Sequence, residues 1–381
     1  MSDLVADSER ETITLHELLD RCAQSALEFQ QDDGSFPAGQ NYDKNDQETA
    51  VRSTSHWLIL LLHMYEITRK KKYEEPIHRA VDYLLSKHIR PNDHTFLCRI
   101  SDEKDMCNGI VGQATPIKAL VMAGEICNRK DTISTAEAVF DCIPFDQTLG
   151  LWKIVDVDGG IRSFDRTLNH QILFASNLCS LSNHSKDVET QISIFLSHLE
   201  DNMRLRKGGI IRHYVNPHGN LLYPGIKNKH LLRNKILETA YQFSSDRKAM
   251  EKRYHLVNLY GLGVLSTWFP EHPIWDNRKI QSALSFILQE DVYDQILDGD
   301  TAMGYTIPGI RAAWAIHGLS SNRQNSVREL VEADLDNKLD MNNWVLTSDK
   351  LSQEDQAPMI SYLVGLPNMT ISLTDADRIE Q

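Results

Sequence analysis

The fold is decided by the stretch His56-Trp57-Leu58-Ile59-Leu60-Leu61-Leu62, which lies within a segment of helical periodicity at 47–68. Apolar side chains cover nearly every side of this helix, and a helix of that kind is buried on most sides. The same pattern, read from apolar residues at helical spacing, recurs further along the chain. The corresponding segments are 109–128, 165–182, 251–269, 304–319 and 354–365.

Helical segments with one charged face alternate with these apolar segments. They lie at 15–30, 74–88, 132–142, 186–205, 276–290 and 323–337. The alternation predicts an all-α fold, an (α/α)6 toroid with six inner and six outer helices in one closed barrel. Each helix pair in such a ring buries its apolar face only against its neighbours. We therefore expect a single domain at 15–365, a flexible N-terminal segment at 1–14 and a flexible tail at 366–381.

Two stretches interrupt the helical pattern and predict β-hairpins. Apolar and aromatic runs flank Asp156-Val157-Asp158-Gly159 in one stretch and Asn216-Pro217-His218-Gly219-Asn220 in the other. Runs of this composition around a turn-forming cluster are typical of hairpins. We expect both to lie on the rim of the barrel, where loops carry functional side chains.

Composition narrows the class of protein. Apolar residues make up 41% and charged residues 24% of the 381 residues, and the formal net charge is −13. This composition is not that of a disordered chain, and the negative charge argues against a nucleic-acid partner. The longest apolar run, 57–62, is far short of a transmembrane helix. The first residues do not resemble a secretory signal, and the six cysteines stand singly. We therefore expect a cytoplasmic location, no metal site and no cofactor.

Polar residues gather where the inner segments begin, and we interpret them as the lining of one site. Because the inner helices of a toroid run parallel, their first turns converge at one end of the barrel, where helix N-termini also favour an anionic ligand. We predict substrate binding by Arg52, His56, Asn169, Gln171, Arg253, Asn258, Trp152 and Tyr305. We predict catalytic roles for His170, Tyr254, His255 and Tyr260. Structural roles compete with these: His56 can be a core histidine, Tyr254 and His255 can serve packing, and Asp165 can cap a helix.

The residue types favour a sugar that carries a carboxylate, since arginine binds carboxylates in a bidentate manner. Proton abstraction at C5 of a uronic acid needs a neutralised carboxylate, here assigned to Arg52 and Asn169, and a histidine or tyrosine near C5. Hydrolysis instead needs two carboxylates about 5–10 Å apart. The acidic residues available for it at the rim are Asp33, Asp43, Asp105, Asp158 and Asp165. The alternatives to an epimerase are thus a glycoside hydrolase, a polysaccharide lyase or a glycan-binding scaffold without catalysis.

Three segments resemble carbohydrate-associated α/α-toroid proteins, and most of all the AglQ-like family of archaeal protein N-glycosylation gene clusters. They are Asp165-Arg166-Thr167-Leu168-Asn169-His170-Gln171-Ile172-Leu173-Phe174-Ala175, Lys252-Arg253-Tyr254-His255-Leu256-Val257-Asn258-Leu259-Tyr260 and Asp33-Gly34-Ser35-Phe36. The resemblance covers about residues 15–365. It implies a role in glycan assembly on a hexuronic-acid-containing oligosaccharide or lipid-linked saccharide, as an epimerase or isomerase. It supplies no catalytic residue to carry over, and the oligomeric state stays open.

Overall fold

The computed structural model describes the greater part of the chain. The described residues are 10–39, 47–101, 103–216, 244–300, 302–303, 306–320, 323–347 and 352–374. No helix among them is long and apolar enough to cross a membrane.

Helices dominate these ranges. In chain order they are α1 (Leu15–Ala26), α2 (Val51–Thr68), α3 (Glu74–Leu85), α4 (Val111–Cys127), α5 (Lys130–Asp141), α6 (Leu168–Leu178), α7 (Lys186–Asn202), α8 (Ser245–Trp268), α9 (Arg278–Ile287), α10 (Glu290–Leu297), α11 (Pro308–Leu319), α12 (Gln324–Lys338) and α13 (Gln353–Gln356). Short 3-10 helices lie at Leu27–Phe29, Lys71–Tyr73, Leu181–Asn183, Pro273–Asp276 and Ala357–Leu363.

The inner elements form a closed ring. Helix α2 packs against α4, α4 against α6, α6 against α8 and α8 against α11, and the 3-10 helix Ala357–Leu363 contacts both α11 and α2. In α2, residues 53–62 are all buried. By contrast, the outer helix α1 buries only one face, formed by residues such as Leu15, Leu18 and Cys22. This difference in burial is the one that the alternation of apolar and one-sided segments predicts, and it confirms the toroid.

The last inner segment differs from the prediction of a helix at 354–365. Only α13 is α-helical, and the chain continues as the 3-10 helix Ala357–Leu363. Pro358 cannot donate a backbone hydrogen bond, and Gly365 adopts a positive φ of 96° directly after the element. The outer segment predicted at 276–290 is followed by a further short helix, α10, that the periodicity did not predict.

Strands are short and lie outside the ring. They are β1 (Arg10–Thr14), β2 (Gln47–Glu48), β3 (Arg99–Ile100), β4 (Phe145–Asp146), β5 (Leu151–Val155), β6 (Ile161–Phe164), β7 (Leu339–Asp340), β8 (Val345–Leu346) and β9 (Thr370–Thr374). Strands β5 and β6 form the hairpin predicted around Asp156, and β4 joins them as a third strand. Of the second predicted hairpin, the arm at 208–216 makes only isolated bridges, and residues 217–223 lie outside the described residues.

The expectation of flexible segments at 1–14 and 366–381 is corrected for the residues that the structure describes there. Strands β1 and β9 pair antiparallel, with Arg10 opposite Thr374 and Thr14 opposite Thr370. The backbone N–H groups of Ser372 and Thr374 also donate to carboxylates of α12. Paired backbone groups and a buried Ile13 make this two-stranded sheet part of the fold.

Gly34 makes the turn between the first outer helix and the first inner helix. Its φ is 88°, and a Cβ atom would lie 2.2 Å from the carbonyl oxygen of Arg79, so only glycine fits. The Gln30 side chain donates to the carbonyl oxygens of Gly34 and Pro76, and Phe36 is fully buried. The segment Asp33-Gly34-Ser35-Phe36 therefore has a structural role.

Candidate functional site

A cavity of about 260 Å³ lies within the ring, at the end where α2, α4, α6 and α11 begin. Each of these helices contributes first-turn residues to its wall. Helix α8 differs, because it begins at Ser245 and not near 251, so its lining residues Tyr254 and Tyr260 lie well inside the helix. The described polar residues of the lining are Glu48, Arg52, His56, Asn108, Thr115, Lys118, Asn169, His170, Asn177, Tyr254, Tyr260, Thr306, Arg311, Asp355, Ser361 and Tyr362. The volume is close to the lower end of ligand sites, which span about 300–1,000 Å³. The cavity therefore suits a small ligand.

His170 forms a pair with Asp165 at the start of α6. Its Nδ1 lies 2.9 Å from Oδ2 of Asp165, and its side chain is 27% exposed while that of Asp165 is 4% exposed. An ionised carboxylate only accepts hydrogen bonds, so Nδ1 carries the proton and Nε2 is left for a ligand in the cavity. Asp165 thus sets both the tautomer and the orientation of His170.

Asp165 is held as a carboxylate. Burial alone would raise its pKa, but His170 and the backbone N–H groups of Thr167 and Ile110 outweigh burial and keep the pKa below its ordinary value. Gly109 packs directly against the pair: its φ is 60°, and a Cβ atom there would lie 2.5 Å from Oδ2 of Asp165. The loop before α4 therefore requires glycine at this position.

Arg52 lies at the start of α2 between two carboxylates of the cavity wall. Its Nε is 2.8 Å from Glu48, and its Nη2 is 2.9 Å from Asp355. Both carboxylates are almost fully buried, with exposed side-chain fractions of 4% and 7%. Arg52 therefore has two carboxylate partners in the wall, while its side chain stays 38% exposed at the cavity. That it neutralises a substrate carboxylate stays a prediction from the sequence.

One turn further along α2 from Arg52, the lining is aromatic. The His56 ring stacks on Tyr362 with centroids 5.3 Å apart, and its Nδ1 lies 2.8 Å from the hydroxyl of Ser361. Burial lowers the pKa of His56 to about 3, so the imidazole is neutral at physiological pH. Tyr260 meets Tyr362 edge-on at 4.8 Å, and burial raises the pKa of Tyr260. Its phenol is therefore protonated and can donate.

Several predicted site residues do not reach the cavity. His255 is fully buried: its Nδ1 accepts from the Ile211 backbone N–H, and its Nε2 donates to Ala283. Gln171 bonds backbone groups of Trp152 and Asp165, and Trp152 is a fully buried residue of strand β5 that packs against Phe174. Neither Arg253 nor Asn258 is among the residues that line the cavity. Tyr305 lies outside the described residues.

The structure adds lining residues that the sequence reasoning missed. Lys118 brings a cation, and Asp355, Ser361 and Tyr362 come from the last inner segment. Arg311, which the sequence already places in the inner segment 304–319, is a further cation of the lining. A signal existed for Lys118, since a lysine between Ile117 and Ala119 interrupts an apolar helix. Among the described residues, no group of three or more His, Cys, Asp or Glu side chains could hold a metal ion.

The ring and its polar cavity define an α/α toroid, and solved structures of the same fold support this assignment. Cellobiose 2-epimerase from Bacillus thermoamylovorans superposes with a TM-score of 0.62 and 11% identity, over 91% of this chain and 96% of the other. An unsaturated glucuronyl hydrolase specific for heparin superposes with a TM-score of 0.58 and 12% identity, over 92% and 95%. At these identities the likeness establishes the fold alone.

No protein-family model matches the sequence. Archaeal glycosylation protein Q of Haloferax volcanii is 33% identical over 368 residues, which are 94% of this chain and 99% of that protein. The chain belongs to the family of archaeal glycosylation protein Q. This confirms the resemblance that the three sequence segments indicated.

Proposed function

We propose that the protein is a carbohydrate-active enzyme of glycan assembly, an epimerase or isomerase that acts on a hexuronic-acid-containing saccharide. The observation that carries this proposal is the pair of His170 and Asp165, in which the free Nε2 of an oriented imidazole borders a cavity of sugar size. An imidazole held in this way is a general base suited to neutral pH.

In the proposed reaction His170 takes the proton from C5 of the uronic acid. The electron pair of the C–H bond moves into the adjacent carboxylate, which must be neutralised by a cation for this step to proceed. A proton delivered to the other face of C5 then inverts the centre. Of the phenols on the described cavity wall, which also include Tyr362, we assign Tyr260 and Tyr254 to this return step, and protons exchange with solvent between turnovers.

The carboxylates of the cavity favour this chemistry over hydrolysis. The described lining contains Glu48 and Asp355, and both are ion-paired with Arg52. Hydrolysis needs one carboxyl group that gives up a proton and a second that stays ionised. Of the acidic residues considered for hydrolysis, Asp33, Asp105, Asp158 and Asp165 do not line the cavity, and Asp43 lies outside the described residues.

The comparisons support the carbohydrate-active role at a coarser level. The family member from Haloferax volcanii is named as a glycosylation protein. The toroids of similar fold include an epimerase and a glucuronyl hydrolase, so the scaffold accommodates both types of sugar chemistry. The choice between them is therefore argued from the side chains of this chain.

The test uses the purified protein with a uronate-containing oligosaccharide in deuterated water. We expect solvent deuterium at C5 of the uronic acid, detected by NMR, without new reducing ends. The control is His78→Ala, which removes an exposed histidine of the outer helix α3 and leaves exchange unchanged. New reducing ends would replace the proposal by hydrolysis, and an ultraviolet-absorbing unsaturated product would replace it by elimination. Binding with none of these products would leave a glycan-binding scaffold.

We also propose that residues 15–365 act as one catalytic domain, because the cavity wall takes residues from Glu48 to Tyr362. A lipid-linked form of the substrate and a cytoplasmic location stay predictions from the sequence.

A further inference from the structure

Two cations of the cavity wall, Arg311 and Lys118, stand apart from the ion-paired Arg52. Arg311 lies in the first turn of α11 and is only 6% exposed, and its Nε and Nη1 are buried without a hydrogen-bond partner among the described residues. Lys118 lies two turns into α4. Within the described part of the chain, neither side chain forms an ion pair with a carboxylate.

The described carboxylates of the cavity wall, and Asp334 beside α11, are already engaged. Asp334, behind α11, bonds the Lys338 ammonium at 2.6 Å and the Ile310 backbone N–H at 2.7 Å. Glu48 and Asp355 bind Arg52. A buried guanidinium without a counter-charge is unfavourable, because its lost hydration is not replaced. Among the described residues Arg311 has the Tyr362 ring, 5.6 Å from its guanidinium carbon, and the charge of the engaged Asp334 nearby, but no ion pair of its own. An anionic ligand would supply that ion pair.

The ring places the two cations on facing walls. In the order of inner elements, α4 and α11 are separated by two neighbours in either direction, so they lie opposite each other. Both cations act on the buried His56, whose pKa they lower in addition to the effect of burial. With His56 neutral, the charged groups of the described lining have a surplus of one positive charge. That surplus complements a monoanion.

We propose that Arg311 and Lys118 form an anion subsite that binds the carboxylate of a hexuronic acid from two sides. Arginine offers a planar pair of N–H donors that matches a carboxylate, and lysine adds a point charge. This inference rests on the proposed function for its substrate class and assigns the neutralising role to residues other than Arg52. It makes selectivity for an acidic sugar a property of α4 and α11.

The experiment compares the binding of D-glucuronate, D-glucose and D-glucose 6-phosphate by isothermal titration calorimetry. We expect the wild-type protein to bind glucuronate at least about tenfold more tightly than glucose, since hydrogen bonds to charged groups are the stronger ones. Arg311→Met should remove most of this preference, and Lys118→Met should reduce it. Arg328→Met, which removes an exposed cation of the outer helix α12, should leave it unchanged.

A second measurement separates loss of the subsite from loss of the fold. Because Arg311 is buried without an ion pair to any described residue, Arg311→Met should raise the melting temperature of the ligand-free protein while it weakens glucuronate binding. A purely structural role for Arg311 predicts the opposite, a lower melting temperature. If Arg311→Met does not fold, the preference of the wild type and the Lys118→Met variant still test the subsite.

Equal affinity of the wild type for glucuronate and glucose would overturn the subsite, as would an unchanged preference in the folded Arg311→Met and Lys118→Met variants. Tighter binding of glucose 6-phosphate than of glucuronate would overturn the carboxylate assignment in favour of phosphate. These results are distinct from a failure of the proposed reaction. Selective glucuronate binding without deuterium at C5 would contradict the proposed epimerase reaction and support the subsite. Deuterium exchange at C5 that neither Arg311→Met nor Lys118→Met alters would support the epimerase reaction and contradict the subsite.

Discussion

His170 and His255 lie on neighbouring inner helices, and the sequence presents them alike, each next to polar residues in an otherwise apolar segment. Their surroundings differ. His170 has one buried carboxylate partner and a side chain that is 27% exposed toward the cavity. His255 is fully buried, with one ring nitrogen bonded to the Ile211 N–H and the other to the Ala283 carbonyl.

The comparison shows that the partners of a histidine determine its use. A carboxylate on one nitrogen leaves the other available and favours proton transfer. Two backbone partners leave no nitrogen for a ligand, and burial lowers the pKa of His255 to about 4, so it stays neutral. We therefore assign a catalytic role to the surroundings of His170 and a stabilising role to those of His255. Four experiments test this assignment.

The largest effect is expected for His170→Ala on C5 exchange. Loss of the general base should reduce turnover roughly a thousandfold, within the range of such catalysis, while the melting temperature changes little because the side chain is partly exposed. Exchange rates by NMR and thermal unfolding of the same sample check this. Full turnover in the folded variant would remove His170 from the mechanism.

Asp165→Asn tests whether the carboxylate orients His170. The amide keeps the size of Asp165 but cannot hold the same histidine tautomer, so turnover should fall roughly a hundredfold and the pH profile of the rate should shift. A purely capping role predicts lower stability with an unaltered pH profile. The pH dependence of exchange, measured beside circular dichroism, distinguishes the two roles.

His255→Ala should act on stability instead of turnover. It leaves the Ile211 N–H and the Ala283 carbonyl without their buried partner, so the free energy of unfolding should drop by about 2 kcal/mol. Denaturant unfolding measures the drop. His255→Asn, which retains an acceptor, should recover part of it. A variant of normal stability with greatly reduced turnover would contradict the division between the two histidines.

The smallest effect is the pH dependence of stability. Burial lowers the pKa of His255 to about 4 and that of His213 to about 3, whereas an unfolded histidine titrates near 6.5. Below pH 6.5 the unfolded chain therefore takes up protons that the folded protein excludes, and stability falls by about 1.4 kcal/mol per pH unit for each such histidine. Between pH 6 and 5, the free energy of unfolding of His255→Asn should therefore depend on pH less steeply than that of the wild type, by the contribution of one bound proton. Equal slopes would mean that His255 is protonated in the fold.

The ring was predictable because its signal is local. An inner helix such as α2 is apolar on nearly every side, whereas an outer helix such as α1 is apolar on one side only. This contrast can be read from one or two helical turns of sequence. The pairing of β1 with β9 was not predictable, since each strand is five residues long and its partner lies at the other end of the described chain. The 3-10 geometry of Ala357–Leu363 was missed because periodicity does not resolve i+3 from i+4 bonding in a short segment.

For the site as well, the sequence predicts the local features but not the contacts between distant residues. The sequence draws attention to His170 and Asn169 because polar residues at the start of an apolar helix are unusual, whereas Tyr260 lies well inside α8. Asp165 was read as a cap, since an aspartate before a helix usually is one. Its contact with His170 depends on how the chain enters α6 after hairpin β5–β6, which a single sequence does not show. The ion pairs of Arg52 likewise bring together residues 48 and 355.

The closure of the ring also determines when, during synthesis of the chain, the cavity wall can be completed. Arg52 belongs to the first inner element and Glu48 to the strand just before it, whereas Asp355, Ser361 and Tyr362 of the same cavity belong to the last. During synthesis the N-terminal helices emerge first and can stack on each other, but the wall stays incomplete until the final inner element has been made. Bringing such distant residues together is slow, because the chain entropy of a very long loop is lost first. A nascent chain therefore becomes competent to bind its ligand only after the segment Ala357–Leu363 has been made and has closed the wall.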